Sequence, residues 1–174
     1  MTMARILYSP ASRKNVDRET DPYIPRKSAS SMAICPGCRA IYRNKRWAID
    51  EKELAALTRK GAGTAVARRR CPACRKIEDG FAAGVVTLTG GYLRDHRDDI
   101  LNLVRNEEKR AMGFNPLERI IRVEETGDGL EIATTDEKLA QRIGREVRKA
   151  CQGTVEYKWS EDSKLLRVNW AREE

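Results

Sequence analysis

The C-terminal third of the chain shows the clearest alternation of hydrophobic and polar residues. Residues 119–123 and 130–134 alternate with a period of two, which is typical of half-buried strands. Between them, Thr126-Gly127-Asp128-Gly129 contains the Asp-Gly pair that favours a tight hairpin turn. The pattern therefore predicts an antiparallel hairpin.

A helix and two further strands follow this hairpin. Hydrophobic residues recur at helical spacing from Leu139 to Cys151, so Cys151 is expected to be a core residue. Residues 154–159 and 164–170 alternate again as strands. The order β-β-α-β-β predicts a small α+β domain over residues 119–174, in which the single helix covers one face of the sheet.

The middle of the chain carries one more strand and a longer helix. A strand is predicted over residues 81–90, leaving the module before it, and the helix begins near Tyr92 and ends near Gly113. The exposed positions of this helix carry both signs of charge, which is usual for a solvated face. We interpret residues 91–118 as a connecting helix and loop.

Two short cysteine hooks precede these elements, Cys35-Pro36-Gly37-Cys38 and Cys71-Pro72-Ala73-Cys74. Two residues between the cysteines let each hook direct both of its sulfurs at one ion, and four thiolates complete the closed tetrahedral site of a structural zinc. We therefore predict one structural zinc ion, and its ligands are Cys35, Cys38, Cys71 and Cys74.

Between the hooks, the sequence predicts a short inserted helix. Asp50 and Glu53 have the spacing of a capping box, the helix runs to about Lys60, and Gly61 is expected to end it. Residues 32–90 are thus expected to form a zinc ribbon. The predicted fold class is α+β, with an N-terminal four-cysteine zinc ribbon that contains the short helix, a connecting helix and a C-terminal β-β-α-β-β domain.

The first 31 residues are rich in prolines, serines and basic side chains, with six basic and three acidic residues. Their few scattered apolar residues do not offset the entropy that is lost on ordering, so residues 1–31 are expected to form a flexible basic arm. The residues alone leave open whether this arm is a solvated tail or becomes ordered on nucleic acid.

Positive charge is concentrated on the predicted ribbon. The chain has 34 Lys and Arg residues against 26 Asp and Glu residues, a formal net charge of +8. Residues 32–80 account for most of this surplus, with twelve basic and five acidic side chains. Because a clustered basic surface attracts a phosphate backbone, RNA is the expected partner. The candidate phosphate contacts are Arg43, Lys45, Arg46, Arg68, Arg69, Arg70, Arg75 and Lys76.

Several features admit both a structural and a functional interpretation. Tyr42 and Trp47 have the chemistry to stack on unpaired bases, but for Trp47 we favour packing over the small metal core. A basic stripe on the predicted C-terminal helix is interpreted as solvated, because acidic residues balance it nearby. The stripe consists of Arg142, Arg145 and Lys149.

The sequence offers no signature of an enzyme. His96, the only histidine, lies on the apolar side of the connecting helix, where hydrogen bonding at a packing interface is expected rather than metal binding or catalysis. There is no phosphate-binding glycine loop, nucleophile motif or two-histidine metal site, so we predict neither catalysis nor a small-molecule substrate. Neither a secretory signal nor a membrane-spanning stretch is visible, and five cysteines then fit a reducing compartment. A cytoplasmic location without membrane association is expected.

Three motifs carry a resemblance to known proteins: Leu88-Thr-Gly-Gly-Tyr-Leu-Arg-Asp-His-Arg-Asp-Asp-Ile100, Val104-Arg-Asn-Glu-Glu108 and Thr134-Thr-Asp-Glu-Lys-Leu-Ala140. With the hooks, they make residues 32–172 resemble an uncharacterised family of small bacterial zinc-ribbon proteins. The same residues are similar to the N-terminal zinc-binding part of the archaeal and eukaryotic large-subunit export adaptor named for nonsense-mediated decay. The resemblance implies zinc-dependent contact with the large ribosomal subunit or its RNA. Nuclear export is not implied, because the adaptor's further domains and export signals have no counterpart in these residues.

Two hypotheses from different classes follow. In the first, the protein is a non-enzymatic, zinc-stabilised RNA-binding protein that acts on the ribosome, in assembly, quality control or dormancy. In the second, it is a protein–protein adaptor without direct RNA contact, whose interface is formed by helix 92–112 and the C-terminal sheet. The concentration of charge on the metal module favours the first hypothesis.

Overall fold

The computed structural model describes residues 21–24, 31–59, 66–160 and 164–174 of the chain. Within these ranges, the protein is a mixed α and β structure with two sheets and five helices. The strands are β1 (Ala33–Ile34), β2 (Ile41–Arg43), β3 (Arg46–Ala48), β4 (Ala67–Arg68), β5 (Gly84–Thr89), β6 (Ile120–Thr126), β7 (Gly129–Thr134), β8 (Thr154–Trp159) and β9 (Leu166–Ala171). The helices are α1 (Glu51–Thr58), α2 (Pro72–Asp79), α3 (Gly91–Asp95), α4 (Arg97–Phe114) and α5 (Glu137–Cys151). No helix in the described ranges combines the length and apolar character needed to span a membrane.

The smaller sheet belongs to the ribbon and has the strand order β3-β2-β1-β4. β2 pairs antiparallel with β1 and β3, whereas β1 and β4 are parallel. The β2–β3 hairpin turns at Asn44 and Lys45, whose φ angles of 48° and 63° lie in the left-handed region. Two left-handed residues in a two-residue loop form the turn whose twist matches that of the flanking strands. The hairpin therefore holds Lys45 at its tip in a defined geometry.

α1 follows this hairpin and begins where the sequence predicts. Oδ1 of Asp50 accepts a hydrogen bond from the backbone N–H of Glu53 at 2.9 Å, which satisfies one of the free donors at the helix N-terminus. The Glu53 side chain does not complete a capping box, because its carboxylate pairs with Arg43 at 2.9 Å instead. The expected stop at Gly61 lies outside the described residues.

The larger sheet has the strand order β6-β7-β5-β9-β8. The β6–β7 hairpin turns at Gly127 and Asp128, as predicted. β5, which we expected to leave the ribbon as a separate strand, is instead the central strand of this sheet. It pairs antiparallel with β7 and parallel with β9 along its whole length. The expected four-stranded unit of residues 119–174 is therefore incomplete by itself, because β7 and β9 meet only through β5.

One face of the larger sheet carries the main hydrophobic core. Val86 and Leu88 of β5 are fully buried, while Val85, Thr87 and Thr89 are more exposed, so the strand alternates as a one-sided sheet requires. α5 packs against this face with the predicted stripe, and Cys151 lies in the core as expected. β5 to β9 and α3 to α5 share this core and are termed the α+β layer.

The helix that we expected to connect two modules is interrupted and packed. α3 ends and α4 begins at His96, whose backbone leaves the helical region with φ −120° and ψ 24°. Leu93 before this break and Ile100 after it both enter the core of the α+β layer. The half-exposed His96 ring stacks on Tyr92 with 4.0 Å between the ring centroids. The segment is thus part of the α+β layer rather than a connection between two separate modules.

Glycine at position 90, just before α3, is explained by the close approach of another segment of the chain. Gly90 has a φ of 107°, and a Cβ at this position would overlap the carbonyl oxygen of Arg172. That oxygen accepts a hydrogen bond from the backbone N–H of Tyr92 at 3.2 Å, and the N–H of Arg172 donates to the carbonyl of Thr89 at 3.2 Å. Glycine therefore lets the chain after β9 pass close to the start of α3.

Part of the predicted flexible arm is bound to the ribbon. Tyr23 is 8% exposed, its ring centroid lies 5.0 Å from that of Phe81, and its hydroxyl donates to Asp79 at 2.7 Å. Asp21 forms an ion pair with Lys76 at 2.7 Å. These contacts with the ribbon compensate for the conformational entropy that the segment loses on ordering. The composition of the arm gave no sign of them. Residues 1–20 and 25–30 lie outside the described residues.

Candidate metal centre and its basic surface

The first cysteine hook lies between β1 and β2. The backbone N–H of Cys35 donates to the carbonyl of Ala40 at 2.8 Å, and the N–H of Arg39 donates to the carbonyl of Cys35 at 2.9 Å. These bonds close a tight turn that returns the chain into β2. Glycine fits best at position 37, because a Cβ there would lie 3.0 Å from Sγ of Cys74.

The second hook opens α2, a helix that we did not expect from the sequence. Cys71 is the N-cap residue, and its sulfur accepts a hydrogen bond from the N–H of Cys74 at 3.4 Å. Pro72 occupies the first turn, where its missing N–H leaves no bond unmade, and Gly80 ends the helix with a left-handed φ of 65°. The proline and the glycine are signals from which this helix was predictable.

The two hooks bring their four sulfurs together. The Sγ atoms of Cys35, Cys38, Cys71 and Cys74 all lie within 4.8 Å of one another. All four residues are free cysteines, three of them buried, and the Sγ atoms of Cys38 and Cys71 are 3.6 Å apart. Over the described ranges, this is the one group of Cys, His and acidic residues that could hold a metal ion. The predicted clustering of the four cysteines is confirmed.

The electrostatics of this cluster favour one thiolate among neighbouring thiols. The hydrogen bond between Cys38 and Cys71 lowers the pKa of the Cys38 thiol to about 5 and raises the pKa of Cys71. Burial raises the pKa of the Cys74 thiol to about 11. One thiolate is thus stabilised by neighbours that keep their protons. A metal cation displaces such protons on binding, because the thiolate is the ligand.

Arg119, which we did not single out from the sequence, faces the cluster from the α+β layer. Its Nη1 donates to Sγ of Cys74 at 3.4 Å, and its backbone N–H donates to the hydroxyl of Thr135 at 2.9 Å. A guanidinium group beside thiolates offsets the negative charge that four of them accumulate around a divalent ion. Because 45 residues separate Arg119 from Cys74, no local motif could have identified it.

Six of the eight predicted phosphate contacts have exposed side chains on the ribbon. Arg75 is one of them, and the other five are termed the basic rim, which consists of Arg43, Lys45, Arg46, Arg68 and Arg70. The first three lie at the β2–β3 hairpin, and the other two lie at the end of β4 and just before the second hook. Arg43 pairs with Glu53 at 2.9 Å, and Arg70 pairs with Glu78 at 2.8 Å. Exposed pairs of this kind are weak, so these arginines remain accessible to another anion.

Arg69 and Arg75, two further predicted contacts, lie over aromatic rings. The Arg69 guanidinium is 4.6 Å from the centroid of Tyr42 and 5.8 Å from that of Trp47. The Arg75 guanidinium is 5.2 Å from the centroid of Tyr23. Trp47 also packs against the cysteine cluster, which confirms the structural interpretation of this residue.

Lys76, the last predicted contact, is buried between three segments. Its side chain pairs with Asp21, and its ammonium group donates to the carbonyl of Thr135 at 3.0 Å. Only 7% of the residue is exposed. Its position therefore argues against a phosphate contact, and Lys76 instead joins the N-terminal segment and α2 to the α+β layer.

The basic stripe on α5 is neutralised by nearby acids. Arg142 lies 3.4 Å from the carboxylate of Glu118, and Arg145 lies 3.4 Å from that of Glu146. Lys149 lies 3.9 Å from the same Glu146. The interpretation of this stripe as a balanced, solvated face agrees with these pairs.

One exposed basic residue near the metal centre escaped the sequence reasoning. Arg39 lies in the turn of the first hook with a left-handed φ of 64°. Its position next to a metal ligand was visible in the sequence, but its exposure depends on the turn.

Comparison with known proteins gave no significant match among family models, curated proteins or solved structures. The resemblance to the ribosomal export adaptor therefore remains a prediction from the sequence motifs. The structure establishes a four-cysteine cluster that could hold a metal ion, with an exposed basic surface beside it.

Proposed function

We propose that this protein is a zinc-stabilised RNA-binding protein of the cytoplasm that associates with the large ribosomal subunit or its RNA. The observation that carries the proposal is the basic rim, five exposed cations on a small ribbon that is organised around the four cysteines. Cations clustered in this way release counterions from a phosphate backbone, which supplies most of the free energy of non-specific nucleic-acid binding.

Zinc is the metal that best fits the cluster. Four Zn–S bonds of about 2.3 Å in tetrahedral geometry separate the sulfurs by about 3.8 Å. The observed separation of 3.6 Å between Cys38 and Cys71, and the limit of 4.8 Å for all pairs, are close to this value. The backbone N–H of Cys71 donates to Sγ of Cys35 at 3.3 Å, a bond that favours the thiolate form of the ligand. Four protein ligands leave no open position, so the ion would be structural.

Metal binding and the basic rim are linked through the backbone. Arg70 directly precedes Cys71, and Arg68 pairs in register with Ile34, which directly precedes Cys35. When bound, a zinc ion would join these two segments and thereby hold the β4 side of the rim. The chain's own residues make the RNA contacts, and the ion contributes stability.

Association with the ribosome is proposed because the motifs of α3, α4 and α5 resemble those of the export adaptor. Assembly, quality control and dormancy are the processes in which such a contact would serve.

The proposal is tested by titrating the zinc-loaded chain onto large-subunit RNA and onto large subunits at several salt concentrations. The logarithm of the binding constant should fall linearly with the logarithm of salt, with a slope of about −0.7 to −0.9 per phosphate contact. A Lys45→Gln/Arg46→Gln variant should reduce that slope, whereas Arg145→Gln/Lys158→Gln on the α+β layer should not. Affinity that is independent of salt, or equal sensitivity to both variants, would contradict the proposal.

A second candidate is a protein–protein adaptor, which two exposed aromatic residues favour. Phe114 at the end of α4 is 86% exposed, and Trp159 at the end of β8 is 53% exposed. Affinity capture with and without nuclease distinguishes the candidates. Partners that persist after nuclease treatment and are lost in Phe114→Ser or Trp159→Ser support the adaptor, whereas partners that disappear with the RNA support RNA binding.

A further inference from the structure

We infer that the basic rim binds double-stranded RNA in preference to single-stranded RNA. This inference rests on the proposed RNA-binding function and concerns the kind of RNA that the same surface recognises.

In the described part of the ribbon, each aromatic ring already packs against other side chains. These residues are Tyr42, Trp47 and Phe81, and the ring centroid of Phe81, which is 38% exposed, lies 5.0 Å from that of Tyr23. Tyr42 is 7% exposed, Trp47 packs against the cysteine cluster, and the Arg69 guanidinium lies over both rings. Proteins that bind single strands without sequence preference combine a basic groove with aromatic rings on which bases stack. The cations of the basic rim are thus accompanied by aromatic rings that already contact other side chains.

The hairpin of the rim carries two like charges that face each other. Arg43 and Arg46 are directly opposite in the β2–β3 register, an arrangement that destabilises a hairpin in the absence of a counterion. Glu53 relieves Arg43, but within the described ranges Arg46, Lys45 and Arg68 have no carboxylate within ion-pair distance. The fixed turn at Asn44 and Lys45 keeps these charges close together. Phosphate groups are anions that would relieve this repulsion.

The cations also lie along both edges of the ribbon sheet. β3, which carries Arg46, and β4, which carries Arg68, are the outer strands in the order β3-β2-β1-β4. Three strand spacings separate these edges by about 14 Å. One exposed cation on each edge, Arg46 and Arg68, at this separation suits two phosphate backbones on either side of a groove. Double-stranded RNA is recognised in this manner, through its shape, phosphates and 2′-hydroxyl groups.

The test compares two RNA probes with equal numbers of phosphates, a fully paired hairpin and an unstructured uridine-rich strand, with the zinc-loaded full chain. Fluorescence anisotropy should show at least about tenfold tighter binding of the hairpin, and shuffling its base pairs should change the affinity little. Equal or tighter binding of the unpaired strand would overturn this inference and leave the proposed RNA binding intact. If neither probe binds, both the preference for double-stranded RNA and the proposed RNA-binding function are wrong.

Variants at the two edges test the geometry. Arg46→Gln and Arg68→Gln should each weaken hairpin binding and reduce its salt slope by about 0.9, because each removes a phosphate contact from a different backbone. Lys158→Gln, an exposed lysine on β8, is the matched control and should leave the slope unchanged. If only one edge affects the slope, the two-backbone arrangement is wrong. Circular dichroism and zinc content verify that each variant is folded.

Discussion

The ribbon and the α+β layer bury very different side chains. The buried cluster of the ribbon consists of three cysteines and two alanines, with Trp47 and Leu117 packed at its edge. The core of the α+β layer is built from leucine, isoleucine and valine side chains around a fully buried Trp170. Small modules bury too little apolar surface to be stable alone and depend on a metal or disulfides. From this comparison we predict that the ribbon depends on an ion at its four cysteines and that the α+β layer does not.

The two regions also differ in how they use charge. Three cations of the basic rim have no acidic partner within the described ranges, whereas the basic stripe of α5 is paired with Glu118 and Glu146. If a metal ion stabilises the ribbon as proposed, that stability would offset the repulsion among these cations. The proposed function is therefore located in the region with the smaller hydrophobic core.

Metal removal should produce the largest difference between the regions. Chelation, or the variant Cys74→Ser, should abolish hydrogen-exchange protection in β1 to β3 and α2 while β5, β7, β9 and α5 remain protected. Structural zinc contributes roughly 10–16 kcal/mol of apparent folding free energy to small modules at neutral pH, so the ribbon should unfold without it. Exchange mass spectrometry with metal analysis measures this.

The control for metal removal is Cys151→Ser, which changes a cysteine of the α+β core and should leave the metal content unchanged. Unaltered protection of the ribbon after verified removal would show that its stability does not come from the metal.

A cavity in the core of the α+β layer should destabilise that layer and leave the ribbon unaffected, the opposite of metal removal. Ile143 is fully buried in the α+β core, and Ile143→Ala should lower the free energy of unfolding of that layer by about 2–5 kcal/mol. Urea denaturation followed by circular dichroism gives this value. The metal content and the pattern of cysteine protection should stay as in the wild type. Loss of metal in this variant would mean that the two regions do not fold independently.

Lys76→Met tests the residue that joins the regions. It leaves Asp21 without its charge partner and the carbonyl of Thr135 without its donor, which should lower the free energy of unfolding by about 1–3 kcal/mol. The salt slope of RNA binding should not change. Lys45→Met is the matched variant on the exposed rim and should show the reverse, an unaltered stability and a smaller slope. A smaller slope in both variants would restore Lys76 as a phosphate contact.

The smallest expected effect concerns pH. Burial raises the pKa of Glu118 above its ordinary value of 4.5. The native state then holds this proton more tightly than the unfolded state does, so the contribution to stability is present below 4.5 and is lost as the pH rises through the folded pKa. Glu118→Gln should flatten the dependence of the unfolding free energy on pH in that window. Urea midpoints at several pH values measure this pH dependence, and the exposed Asp128→Asn is the control. Wild type and Glu118→Gln with the same pH dependence of the unfolding free energy would contradict the prediction.

Local features of the sequence predicted many of the elements. The hairpin turn at Gly127 and Asp128, the apolar stripe of α5 and the Asp50 cap were all readable, because each depends on residues that are close in the chain. The clustering of four cysteines was also predictable, because two Cys-x-x-Cys pairs have the spacing at which all four sulfurs bind a single ion. α2 was missed although Pro72 and Gly80 mark its two ends.

Contacts between distant residues were not predictable in this way. The sequence by itself determined the mixed α and β elements, the four-cysteine set and the surplus of charge near it. Only the tertiary structure decided that β5 is the centre of the larger sheet, that Arg119 reaches Cys74, and that Lys76 is buried while Arg46 is exposed. Periodicity specifies which face of an element is apolar, but not which other element covers it. Partner choice and exposure depend on the free energy of the whole packed arrangement.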